Sequence, residues 1–246
     1  MLPDAASAPA GTNSLRGIAF MAGGMFLFSA VDTHAKYLSD SLHPVQIAWS
    51  RQLGLLLVVL ILLAIRGPGI LKTSNRRLQI GRGALAAGSG LCFIGAVAFV
   101  PLADVVAISF VAPFMVTVLG ATILGEQVGI RRWIAVAIGF LGALIVIRPG
   151  MGAVHPAAGL VLLAALFFAL RQILSRRLSA TDPTVTTVAY TGLTAILLLT
   201  LPLPFVWQMP QGGKELLLLT SMALLAGIAE IMVIRSLELA QTVVLA

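Results

Sequence analysis

Eight runs of roughly 20 apolar residues, joined by short basic or polar connections, account for most of this sequence, and a helix of that length matches the hydrocarbon thickness of a bilayer. Their approximate limits are 17–38, 45–65, 83–100, 105–125, 133–147, 157–174, 184–203 and 216–234, and a ninth run starts at Thr242. Lipid offers backbone groups no water, so each spanning segment must pair its own N–H and C=O groups. Continuous rather than alternating apolar character then selects helices over barrel strands, and an all-α integral membrane protein is predicted.

Composition supports this solvent. Hydrophobic residues make up 59% and charged residues 10% of the chain, against about a quarter charged in soluble domains. The net charge of +7 does not indicate nucleic acid, because the basic residues fall in short clusters between apolar runs rather than along one face. The single cysteine, Cys92, excludes an internal disulfide and a cysteine-based metal site. Residues 1–15 read as a disordered tail. The first apolar run is too long for a cleaved signal and lacks a small-residue cleavage site, so it is expected to be retained.

The connections alternate in charge. Arg16, Arg66, Lys72, Arg76, Arg77, Arg82, Arg131, Arg132, Arg176, Arg177 and Arg235 fall on one side, and Lys36, Arg148 and Lys214 on the other. Eleven against three places the N-terminus in the cytoplasm of a multi-pass protein, expected in a bacterial-type inner membrane. Trp133, Tyr37 and Trp207 lie near run ends, where amphipathic rings prefer the interface.

A repeat is visible in outline. The segment beginning "HPVQIAWSRQ" at His43 resembles that beginning "DPTVTTVAYT" at Asp182, and "LADVVAIS" from Leu102 resembles "LAQTVVLA" from Leu239. With five runs per unit, the second copy must enter the membrane upside down, the inverted arrangement of many secondary transporters. The units expected are 16–150 and 157–246, the second incomplete.

Three segments carry a family resemblance: "AWSRQLGLLL" with Arg51, "PLADVVAISFVAPF", and "LGEQVGIRRWIAVAIGFLGALIVIRPG", which holds Glu126, Trp133, Gly139, Gly142, Pro149 and Gly150. The chain resembles the drug/metabolite transporter superfamily, EamA type. The resemblance implies ten helices in two inverted five-helix repeats around a cavity for a small metabolite. Here the sequence stops as a ninth helix should begin, so a fragment of a longer protein is expected.

An ionisable group inside a bilayer costs about 2.5–3.5 kcal/mol even on lenient insertion scales, so each needs a reason. Asp32 and Lys36 are four apart on the first run and can pair on one face, and Arg51 at similar depth can compete for Asp32. Arg171 and Glu230, of opposite sign and each five residues inside a basic connection, suggest a second pair between the sixth and eighth runs. Breakable pairs at the two ends would serve as gates; the alternative is structural pairing, with Lys36 snorkelling to headgroups. His34 is a minor candidate for proton transfer, and Asp32 and Glu230 are better ones. Ser109, Pro113 and Thr117 recur every four residues and suggest a substrate-facing stripe, with a packing kink as the alternative. Gly139 belongs to a small-residue ridge for close helix packing, and Glu126 is expected to act as an anchor.

The function expected is alternating-access transport of a small organic metabolite, with protons as candidate co-substrate and a homodimer as candidate assembly. No cofactor or catalytic residue is expected: neither a phosphate-binding loop nor HExxH occurs. A truncated non-transporting scaffold is the alternative, and an intramembrane enzyme a weaker one.

Overall fold

A computed structural model describes residues 10–125, 128–147 and 155–244. Its order is α1 (Ala10–Leu38), α2 (Pro44–Arg66), a 3₁₀ turn (Pro68–Leu71), α3 (Arg76–Phe99), α4 (Leu102–Ser109), α5 (Ala112–Ile123), α6 (Ile130–Ile147), α7 (Ala158–Leu178), α8 (Thr184–Thr200), α9 (Leu203–Val206) and α10 (Gly213–Val244). All eight predicted runs are helical. Among the described residues, six spans combine the length and apolarity to cross a membrane, with α4 and α5 counted as one, while α8 and the apolar part of α6 are shorter. Glu126, Pro149 and Gly150 lie outside the described residues, as does most of the N-terminal tail.

Local chemistry sets the breaks. His43 caps α2 by accepting the Val45 N–H on Nδ1 at 3.3 Å, and Gly67 ends it at φ 72°, a conformation glycine adopts without Cβ strain. Pro113 has no N–H to give Ser109 and sits in the first turn of α5, where none is required; the fourth run therefore becomes two helices. The third run starts earlier than predicted, at Arg76, which draws Gln79 and Arg82 into the helix. The ninth run is not a separate helix: its first residues, 242–244, continue α10, whereas "LADVVAIS" forms its own helix behind Pro101.

Contacts between connections confirm that the chain alternates between two ends. At the arginine-rich end, Thr73 Oγ1 donates to Asp182 Oδ2 at 2.7 Å and Asn75 Nδ2 to Thr181 Oγ1 at 3.0 Å. At the far end, Gln46 exchanges two hydrogen bonds with the Gln208 backbone, at 2.8 and 2.9 Å, and Trp49 meets Trp207 edge-on with centroids 6.2 Å apart.

Helix partners also repeat. α1 packs along α10 as α7 packs along α3; α2 crosses α10 as α8 crosses α3; α2 and α8 meet between them. The α1–α2 and α7–α8 corners share one conformation 140 residues apart, from Leu38 to Pro44 and from Leu178 to Thr184, with residues 45–48 and 185–188 buried alike. That register is one residue off the match read from sequence, because Pro44 is the first helical residue of α2 whereas Pro183 precedes α8. The α2–α10 crossing is backbone on backbone: a Cβ on Gly54 would lie 1.8 Å from the Ala223 carbonyl oxygen. Small residues permit such approach where lipid supplies no hydrophobic drive between helices.

Two apolar cores bracket the middle of the bundle. Leu38, Ile47, Ile94, Leu199 and Met222 belong to one towards the far end, and Val59, Val188, Ala189 and Ile234 form the other towards the arginine-rich end.

Candidate functional site

Between those cores, five ionisable side chains come together from five helices: Asp32 of α1, Arg51 of α2, Arg82 of α3, Arg171 of α7 and Glu230 of α10. Each is half-buried, and together they form a polar cluster in the middle of the bundle.

Arg51 wins the competition for Asp32. Its Nη1 donates to Asp32 Oδ1 at 3.2 Å, and its guanidinium lies 5.4 Å from the Phe28 ring centroid. Lys36 turns away. Its Nζ donates to the Val97 carbonyl at 2.7 Å and reaches Val100 O at 3.5 Å, so it caps the end of α3, where carbonyls lack helical partners and the dipole favours a cation. Lys36 thus ties α1 to the end of α3 and does not join Asp32 and Arg51.

Arg171 and Glu230 lie in the same cluster without closing to ion-pair distance. The charges acting on Glu230 are Arg171 first, then Arg82 and Arg51. Arg171 places its guanidinium 4.9 Å from the Phe168 centroid, and its buried Nε has no hydrogen-bond partner. Two separate gate pairs, one per end, are therefore not what forms: Arg51 acts electrostatically on both Arg171 and Glu230, which links the two sets.

Arg82 is the member that sequence reasoning assigned to a connection. Its Nε donates to Ser175 Oγ at 2.7 Å, and its Nη1 donates to Thr191 Oγ1. A signal was present in the spacing, because Gln79, Arg82 and Gly83 share one face of α3, and Gln79 is fully buried, donating to Asp182 Oδ2 at 2.6 Å and Thr187 Oγ1 at 3.2 Å.

The stripe of Ser109, Pro113 and Thr117 does not form one surface. The break at 110–111 separates Ser109 from the other two, Pro113 is exposed, and Thr117 is buried with its hydroxyl returned to the Pro113 carbonyl at 2.9 Å. Gly139 and Gly142 face open space: a Cβ on either would meet nothing within 4 Å. The expected packing ridge is unpartnered because α6 lies at the edge of the bundle, against α4 and α5.

A solved crystal structure superposes with a TM-score of 0.66 at 18% identity, covering 93% of this chain and 79% of its own, which establishes a shared fold. The EamA-like transporter family matches residues 15–148, more than half of the sequence. The chain belongs to the EamA-like transporter family. It is a multi-pass membrane transporter and not an enzyme. Among EamA-like relatives, an S-adenosylmethionine uptake transporter of Rickettsia prowazekii is 24% identical over 83% of this chain and 69% of its own length. A pseudopaline exporter of Pseudomonas aeruginosa is 29% identical over 74% of this chain and 63% of its own. A riboflavin transporter of Vibrio cholerae is 34% identical over 53% and 44%.

Proposed function

We propose that this protein is a secondary carrier that moves a small organic metabolite by alternating access, with the polar cluster between the two apolar cores as its transport site. The observation that carries this reading is the convergence of Asp32, Arg51, Arg82, Arg171 and Glu230 from five helices. Structural ion pairs alone need two partners; five ionisable groups gathered in one half-buried cluster suit a polar cargo that must be desolvated in the membrane.

The repeated packing of α1–α2–α3 and α7–α8–α10 supports reading the units 16–150 and 157–246 as inverted repeats. Rocking one unit against the other around a fixed site would alternate the opening. Two sets of breakable polar ties suit that motion: Gln46 with Gln208 at the far end, and Thr73 and Gln79 with Asp182 at the arginine-rich end. Substrates borne in the names of the relatives, S-adenosylmethionine, riboflavin and pseudopaline, are organic molecules with several polar groups, and they are the first cargoes to test. Since one relative is named for uptake and another for export, direction is a property for the flux assay to read. Proton coupling is the finer expectation, with Glu230 or Asp32 carrying the proton.

The test is flux in proteoliposomes with labelled candidates, under an imposed pH gradient and without one. Cysteines at Thr73 and Asp182, in a Cys92→Ala background, should stop flux when oxidised and restore it when reduced. Flux unaffected by that cross-link would rule out alternating opening at this end. A protein that moves no cargo in any gradient would instead support the scaffold reading.

A further inference from the structure

Three cations at the arginine-rich end stand without partners. Lys72 follows the 3₁₀ turn, and Arg76 and Arg77 open α3. All three are exposed, and among the described residues no other group pairs with their side chains. Their neighbours are engaged: Arg82 with Ser175 and Thr191, and Arg177 with the Ile123 carbonyl at 3.4 Å. The placement of Arg76 and Arg77 is unfavourable, because the first turn of a helix favours anions. No acidic residue accompanies them there, and Asn75 makes no capping bond to α3.

The three line two adjoining hollows. One, about 480 Å³, runs along residues 73–78 and has Arg76 and Arg77 on its wall. The other, about 420 Å³, is bounded by Lys72, Arg76, Thr181 and Asp182, so it crosses from the α2–α3 connection to the α7–α8 corner. Asp182 is the acid on that wall; it is buried, and its Oδ2 already accepts from Thr73 and Gln79. Ile80, 51% exposed, lies one turn deeper on the face of Arg76 and Arg77, whereas Gln79 and Arg82 turn into the bundle. The charged hollow therefore continues into an apolar surface along α3.

We infer that this notch binds an anionic phospholipid, with its phosphodiester on Arg76 and Arg77 and Lys72 beside it. Guanidiniums donate to phosphate oxygens in a planar fork, and a lysine adds a point charge. Basic pockets between helices at the edge of the membrane hold anionic headgroups in this way. The exposed Ile80 selects a lipid over a soluble anion, since an acyl chain can run along it while the headgroup stays at the interface. A headgroup seated there would also tie the start of α3 to the α7–α8 corner, the segments that Thr73 and Asp182 join. The site lies apart from the central polar cluster and does not rest on the transport reading.

The experiment places the full chain in nanodiscs of phosphatidylcholine with a rising fraction of phosphatidylglycerol, and follows the thermal unfolding midpoint. Parallel samples in phosphatidylcholine alone receive inorganic phosphate or glycerol 3-phosphate. Phosphatidylglycerol should raise the midpoint, and the soluble phosphates should not. The variant Arg76→Gln/Arg77→Gln changes exposed side chains only, so it should unfold as the parent does in phosphatidylcholine. It should need about tenfold more phosphatidylglycerol for the same shift. A control with the same loss of charge elsewhere, Arg66→Gln/Arg131→Gln, should respond as the parent does. A control weakened as much as the test variant would reduce the effect to diffuse surface charge and overturn the site. An undiminished response in Arg76→Gln/Arg77→Gln, or none in the parent, would overturn it too. A soluble phosphate as effective as the lipid would make the notch a free-anion site and refute the lipid.

Discussion

Arg51 on α2 reaches Asp32 on α1 at 3.2 Å, and in doing so frees Lys36, one turn further along α1, to hold the carbonyl end of α3. The pair that local spacing favours, Asp32 with Lys36, is displaced by one that needs two helices side by side. An arginine can grip a carboxylate while resting on Phe28; a lysine is better used as a point charge on two carbonyls.

Neutralising either member of the Asp32–Arg51 pair leaves the other half-buried and uncompensated. Asp32→Asn and Arg51→Gln should each lower initial flux more than tenfold. Both side chains keep roughly a quarter of their surface exposed, so their coupling in a double-mutant cycle of unfolding should be modest, about 1 kcal/mol. A flux loss with no coupling energy would show that they act separately on the cargo.

Lys36→Gln should behave differently. Removing a charged donor from the α3 carbonyls should cost about 1.5–3 kcal/mol of stability in detergent, while flux per folded molecule stays within about twofold of the parent. Loss of flux at unchanged stability would return Lys36 to the transport pathway.

The glycines divide by what their missing Cβ would touch. Gly54→Ala forces a methyl against the Ala223 carbonyl and should cost at least about 1–3 kcal/mol, because backbone cannot step aside as a side chain can. Gly139→Ala and Gly142→Ala face open space and should stay within about 0.5 kcal/mol of the parent. Thermal unfolding of the three purified variants decides between a packing ridge and an open face on α6.

Orientation can be read by labelling. In a Cys92→Ala background, an impermeant maleimide applied outside intact bacterial cells should modify a cysteine at Gln211 and spare one at Asn75 until the cells are opened. The reverse pattern would place the arginine-rich end outside, against the charge bias.

The spans and their alternation could be read from residue order alone, because insertion into lipid is close to a sum over each residue's own transfer free energy. Runs of leucine, valine and alanine broken by arginine pairs therefore declare themselves without knowledge of any neighbour. The boundary at Arg76 was less legible, since Arg82 looks like a connection residue when judged by its charge. It belongs in the bundle because Ser175 and Thr191, more than 90 positions away, supply acceptors there. Ser109, Pro113 and Thr117 looked like one face because helical spacing was assumed to continue through a proline that breaks it.

What the order of residues determined by itself is therefore the succession of apolar helices, the alternation of their connections between two ends, and the presence of Asp32, Arg51, Arg171 and Glu230 within apolar runs. Which of those groups face one another was decided by lateral packing: the Gly54–Ala223 crossing, α1 against α10, and α7 against α3. The physical reason is range. Hydrophobic transfer is a property of each residue and its medium, whereas a salt bridge, a capped helix end or an unsatisfied guanidinium depends on atoms brought within a few ångströms by contacts distant in sequence.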